Sequence, residues 1–209
     1  MMDGAVTFLR LAVLFGRTTF GCVNSPYITY RRLSSEKTDS RQTIFIFLLV
    51  ASYFLFTSLI RSGLRSPFLL TIQFNLLALG SSIGFLGIIL LLFLSGKLLG
   101  RQTRLQSLFT LWSYSLLPTL LWFFATSMLY VVLPPPRTTA LLGKSYSVLF
   151  ICFSITALVW KVILYYLTVR FGLRIDLFRI LIVTLVIAPF IILYTFVMYQ
   201  NGIFRVPFL

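Results

Sequence analysis

Lys161 is the residue of this chain best placed to do chemistry, because it is the only charge inside five long apolar blocks, Thr43–Ile60, Ser66–Gly96, Leu105–Pro136, Ser145–Val169 and Ile180–Phe204. A charge within a span is expensive in hydrocarbon, so it counts as a candidate intramembrane site by default. Against that, Tyr165 and Tyr166 follow one turn later, and tyrosines collect where a span meets the headgroups. The apolar stem of a lysine can run along its helix and leave the ammonium at that boundary. Snorkelling is therefore the expected state of Lys161. A transport site would instead need it to face an internal cavity, with the hydroxyls of Ser115 and Thr119 beside it.

Other chemistry has few materials. Histidine is absent, and of the four Asp and Glu residues only Asp176 lies at a membrane boundary. No Ser-His, Cys-His, paired-carboxylate or metal-ligand spacing exists, so catalytic residues, a metal and a cofactor are all expected to be absent. No Walker or dinucleotide glycine pattern accompanies a strand, and Pro134-Pro135-Pro136 reads as a stiff external loop. The expectation is a protein that is not an enzyme.

The elements that must position Lys161 are the blocks themselves. A hydrocarbon core of roughly 30 Å takes about 20 helical residues, and every block reaches that length, the first only with help from its flanks. A chain that is 59% hydrophobic and 17% aromatic but only 11% charged cannot bury one core and keep a polar surface in water. The fold class is therefore all-α, a polytopic integral membrane protein with five transmembrane helices and N-terminal membrane-surface helices. Its expected division is a cytoplasmic segment over residues 1–42 and a transmembrane domain over 43–205.

Charge sets the orientation. The 18 Lys and Arg outnumber the acids, but they lie between the apolar blocks rather than on one polar face, which argues against a nucleic-acid partner. Twelve fall in the N-terminal stretch and in the loops after blocks two and four, from Lys97 to Arg104 and from Arg170 to Arg179. Arg61, Arg65, Arg137, Lys144 and Arg205 make five on the other side. Basic loops stay in the cytoplasm, so the N-terminus is expected inside and the C-terminus outside, in the cell (plasma) membrane.

The first 42 residues resemble a signal sequence only loosely, because Asp3 replaces the positive start and Arg10 and Arg17 bracket too short an apolar run. Lipidation at Cys22 is not expected, nor is a disulfide from it to Cys152, which lies inside the fourth span. A pair of short interfacial helices fits better. Phe8, Leu11, Ala12 and Phe15 share one helical face, and Ser25-Pro26 offers a capping hydroxyl before a proline at the first helical position. Tyr27, Tyr30, Arg31 and Arg32 then form a membrane-surface set suited to anionic lipid headgroups.

Within the spans, Gly80, Gly84 and Gly87 suggest close helix packing, a seam inside the monomer rather than a homo-oligomer contact. Pro118 and Pro189 each remove a helical hydrogen bond, with Ser115 and Thr119 near the first and Thr184 near the second to compensate. Gly100 to Pro118 and Gly172 to Pro189 echo one another, which suggests that spans two and three, and four and five, pair as repeated hairpins.

Gly96-Lys97-Leu98-Leu99-Gly100-Arg101, followed by Trp112-Ser113-Tyr114-Ser115-Leu116-Leu117-Pro118, resembles the Yip family of Ypt-interacting proteins, in which a Gly- and Lys-containing loop precedes a Gly-Tyr-x-x-x-Pro-like segment. Asn24-Ser25-Pro26 is similar to the opening of that family's domain. The resemblance covers roughly residues 20 to 205 and implies five spans and a cytoplasmic N-terminus, with Tyr114 and Pro118 as the family-motif residues. Two features depart from it: Ser113 stands where eukaryotic members often have Gly, and the acidic cytoplasmic domain with its Asp-Leu-Tyr-Gly-Pro motif is missing. The resemblance thus implies a shorter, prokaryotic-like branch and carries over no GTPase partner. The function expected is a membrane-organising, trafficking-related or scaffold role, with a protein partner or a second copy of the chain. The alternative is a small transporter or lipid-handling protein.

Overall fold

The computed structural model describes residues 2–35, 40–62, 67–101, 103–132 and 141–203. Those residues form eight α-helices and no strand: α1 Met2–Asn24, α2 Pro26–Leu33, α3 Ile44–Ser62, α4 Pro67–Leu98, α5 Leu105–Tyr114, α6 Leu117–Val132, α7 Leu141–Leu173 and α8 Leu177–Gln200, with a 3-10 turn at Ser40–Thr43. An all-helical answer follows from the solvent, since backbone groups in hydrocarbon must find their partners within the segment. Leu79, Leu86, Ile155, Leu185 and Ile192 are exposed on the helix surfaces. So much outward leucine and isoleucine is explained by lipid rather than water. The Pro134-Pro135-Pro136 loop lies outside the described residues.

Among the described residues six segments, not five, are long and apolar enough to cross a membrane. Five match the blocks. The sixth is Val6–Asn24, because Arg10 and Arg17 are too few to lower the hydropathy of so long a helix. The expected pair of short surface helices is therefore one long helix and one short one. α1 packs mainly on α2 and on the 3-10 turn. Ser25 does occupy the N-cap of α2 with Pro26 next to it, but its hydroxyl makes no cap bond. Instead the Ser25 carbonyl accepts the Thr29 hydroxyl at 3.0 Å.

The third span is interrupted, contrary to the expectation of one proline-bearing helix. α5 ends at Tyr114, Ser115 and Leu116 form a turn, and α6 restarts with Pro118 in its first turn. Proline is tolerated at a helix start but removes the i−4 bond from an interior, so the chain breaks where Tyr114 would need that donor. The Ser115 hydroxyl bonds the Trp112 carbonyl at 2.8 Å and terminates α5. α8 runs through Pro189 without a break, and Thr184 bonds Ile180 and Tyr165 rather than compensating for the proline.

The expected hairpins share their helices with other neighbours. α4 lies against α3, and about equally against α8 and α5, while α7 lies against α6 and α5 and less extensively against α8. Span two thus meets spans one and five as well as span three, and span four meets span three more than span five. α4 closes at Gly100, whose φ of 67° is the left-handed value a helix end favours, and the Arg101 N–H returns to the Gly96 carbonyl at 3.0 Å.

Candidate functional site: a lysine at a helix break beside an apolar cavity

The break in the third span leaves the Ser115 carbonyl outside the regular ladder, and α7 brings a donor to it. Lys161 Nζ donates to Ser115 O at 2.9 Å. The same ammonium lies 5.1 Å from the centre of the Trp112 ring, within cation–π range. The lysine therefore turns into the bundle instead of snorkelling. The physical reason is local: irregular backbone in a span is tolerated where it is buried in protein or lines a cavity, and here it offers the lysine an acceptor within hydrogen-bond reach.

Beside Lys161 lies a cavity of about 440 Å³ between α3, α4, α5, α6 and α8. Phe47, Tyr53, Phe85 and Trp112 give it an aromatic wall, and Thr119, Ser81 and Ser82 contribute hydroxyls. Among the described residues, Lys161 is its only lining cation and no lining residue is acidic. The Ser81 hydroxyl is buried with no hydrogen-bond partner.

The glycines of α4 meet α8 at one side of this cavity. The Tyr194 hydroxyl donates to the Gly80 carbonyl, and a Cβ at Gly84 would stand 2.7 Å from the Tyr194 ring. Gly80 and Gly84 thus lie together against one tyrosine. Gly87, expected in the same seam, takes no part, since a Cβ there would meet nothing within 4 Å. One helical turn moves it off the contact face.

The family-motif residues Tyr114 and Pro118 are both fully buried, on either side of the break. Tyr114 packs against Phe15 of α1 with ring centres 6.3 Å apart. Of the membrane-surface set, Tyr27, Arg31 and Arg32 are exposed. Tyr27 meets Phe171 edge-on at 5.2 Å and lies under the Arg170 guanidinium at 5.6 Å. Tyr30 does not belong at the surface: it is 0% exposed and reaches between α5 and α7, its hydroxyl 3.4 Å from the Leu111 carbonyl. Tyr30 shares its buried side of α2 with Thr29 and Leu33 and anchors the helix there, and Tyr27, one turn earlier, lies at the edge of that side.

Further contacts hold this hairpin of α1 and α2. Trp160 Nε1 donates to the Cys22 carbonyl at 3.2 Å, and the Thr18 hydroxyl lies 3.2 Å from Gln42 Oε1. Gly21 allows α2 to approach, because a Cβ there would stand 2.5 Å from the Thr29 hydroxyl. Nothing in the composition of the first 42 residues pointed to these pairings; only the Tyr30 spacing from Thr29 and Leu33, also buried, carries a signal. Both cysteines are free, Cys22 buried and Cys152 exposed. Among the described residues, no three His, Cys, Asp or Glu come together as a metal site would require.

The model of one protein family, described as the Yip1 domain, matches residues 20–199. No curated protein and no solved structure matches the chain.

Proposed function

The chain belongs to the Yip1 domain family, and on that premise we propose that it is a non-enzymatic membrane-organising protein of the short, prokaryotic-like kind. It is an integral, multi-pass membrane protein. In this reading five segments span the membrane, and α1 and α2 form a wedge in the cytoplasmic leaflet of the plasma membrane. The C-terminus lies outside. One observation carries it: α1 is apolar on two faces. Phe15, Thr18 and Cys22 turn toward the bundle, whereas Val6, Leu9, Val13 and Phe20 are exposed along another stripe. A helix pinned on one side and apolar on the other is suited to the boundary between headgroups and acyl chains. The exposed Arg31 and Arg32 next to it favour anionic headgroups.

A wedge in one leaflet prefers curved membrane. Protein reconstituted in giant vesicles should be enriched in narrow tubes pulled from them, and Leu9→Gln with Val13→Gln should abolish the enrichment by removing the inserted stripe. Equal density in tube and vesicle for the unaltered protein, or enrichment that survives both substitutions, would count against the wedge. A protein partner or a second copy could then be recruited to the basic cytoplasmic face. A second reading, lipid handling, is favoured by a separate observation, the apolar cavity beside Lys161.

A further inference from the structure

We infer that the cavity between α3, α4, α5, α6 and α8 is a binding site for a long-chain carboxylic acid, with its acid group held by Lys161 and its chain along the aromatic wall. The inference rests on the lipid-handling reading and names the ligand that reading lacks.

Three features point to an anionic amphiphile. The volume of about 440 Å³ lies within the roughly 300–1,000 Å³ of small-molecule sites, and the walls are almost wholly apolar. Among the described residues the one cation has no acidic counterpart in the lining. Lys161 uses one of its three N–H donors on Ser115 O, and a charge in hydrocarbon is costly unless an opposite charge and further acceptors join it. A carboxylate supplies both. Ser81, with its hydroxyl buried and unpartnered, and Thr119 lie in the same wall as further polar contacts.

Depth selects among anionic amphiphiles. Lys161 is nine residues before Arg170, the next charge along α7, which places it roughly 13 Å inward of that charge at about 1.5 Å per residue. That is close to half of a core of roughly 30 Å. A phospholipid keeps its phosphate in the headgroup layer, far from such a lysine. A single-chain carboxylic acid can leave that layer in its neutral form and reach the middle of the membrane, where the ammonium favours the carboxylate.

The test uses the full chain in nanodiscs of zwitterionic lipid, with 9,10-dibromostearic acid as probe, because bromine on the chain quenches the tryptophan in the cavity wall, Trp112. Its methyl ester and a dibrominated anionic phospholipid are the comparison probes. Saturable quenching by the acid is expected, weaker by about tenfold or more with the ester, which loses the charge-assisted bond. Lys161→Gln should weaken acid binding by a similar factor, whereas Lys161→Arg should retain most of it, each variant being checked by its melting temperature. Should Lys161→Gln fail to fold, the comparison of acid with ester on the unaltered protein decides alone. Equal quenching by acid and ester would overturn the acid site while leaving lipid handling standing. Equal quenching by the anionic phospholipid would also overturn it, by assigning the charge to a bilayer headgroup. No saturable quenching by any probe would overturn both the acid site and the lipid-handling reading.

Discussion

Replacing Tyr30 with Ala will release the N-terminal hairpin from the bundle. Tyr30 is 0% exposed and fills a site bounded by Leu111 of α5 and Thr168 of α7, whose hydroxyl bonds the same Leu111 carbonyl at 3.4 Å. Emptying a fully buried aromatic site costs about 3–5 kcal/mol when the surroundings cannot collapse. An eight-residue helix has little stability of its own to set against that, because isolated helices shorter than about 12 residues are marginal. Limited proteolysis in native membranes should therefore cut between residues 24 and 36 in the variant while leaving the unaltered protein intact. Tyr30→Phe keeps the ring and gives up only a long hydrogen bond, at most about 1 kcal/mol, so its cleavage pattern should match that of the unaltered protein. Equal resistance in Tyr30→Ala would mean that α2 is held by something other than this side chain.

Gly84→Leu will destabilise the contact between α4 and α8. The Tyr194 ring occupies the space a side chain would need, with its nearest atom 2.7 Å from an added Cβ, and its hydroxyl is tied to the Gly80 carbonyl, so it cannot swing away without losing that bond. Overpacking of this kind costs about 1–3 kcal/mol. In a domain of this size each kcal/mol moves the melting temperature by roughly 2–4 °C, which detergent melting resolves. Gly87→Leu is the matched comparison, since it adds the same side chain to the same helix in open space. It should melt within a degree or so of the unaltered protein, given the small effect of substitutions away from contacts, about 0.5 kcal/mol. If both variants melt alike, the seam does not run where the tyrosine places it.

What could be read from the sequence was what the bilayer dictates. A hydrocarbon solvent forces helices and fixes their length, so the five apolar blocks reappear as long helical segments with boundaries close to those drawn from composition. Pairwise side-chain matters were not legible, because lipid gives apolar surfaces no preference for one another and leaves the choice of partner to shape. The pairing of α4 with α8 depends on Tyr194 meeting Gly84, two residues more than a hundred positions apart. Lys161 misled for a related reason: Tyr165 and Tyr166 suggested a nearby boundary, while the acceptor that holds the lysine arises only once Pro118 divides the third span. Tyr30 looked like its neighbour Tyr27 in composition, yet it is buried while Tyr27, one turn earlier, is exposed. α1 stands between the two cases, since its hydropathy qualifies it as a span while its contacts place it against α2 and the 3-10 turn.

That ambiguity in α1 is where the account of a leaflet wedge is most exposed. With α1 on the surface and five segments crossing, the two ends of the chain lie on opposite sides of the membrane; with α1 crossing as well, they lie on the same side. The basic residues, twelve against five, orient the five-span arrangement with its N-terminus in the cytoplasm. A reporter active only in the cytoplasm, fused in turn before Met1 and after Leu209, therefore measures the central claim directly. Activity at the N-terminal fusion with silence at the C-terminal one is the expected result, and activity at both, or silence at both, would contradict it.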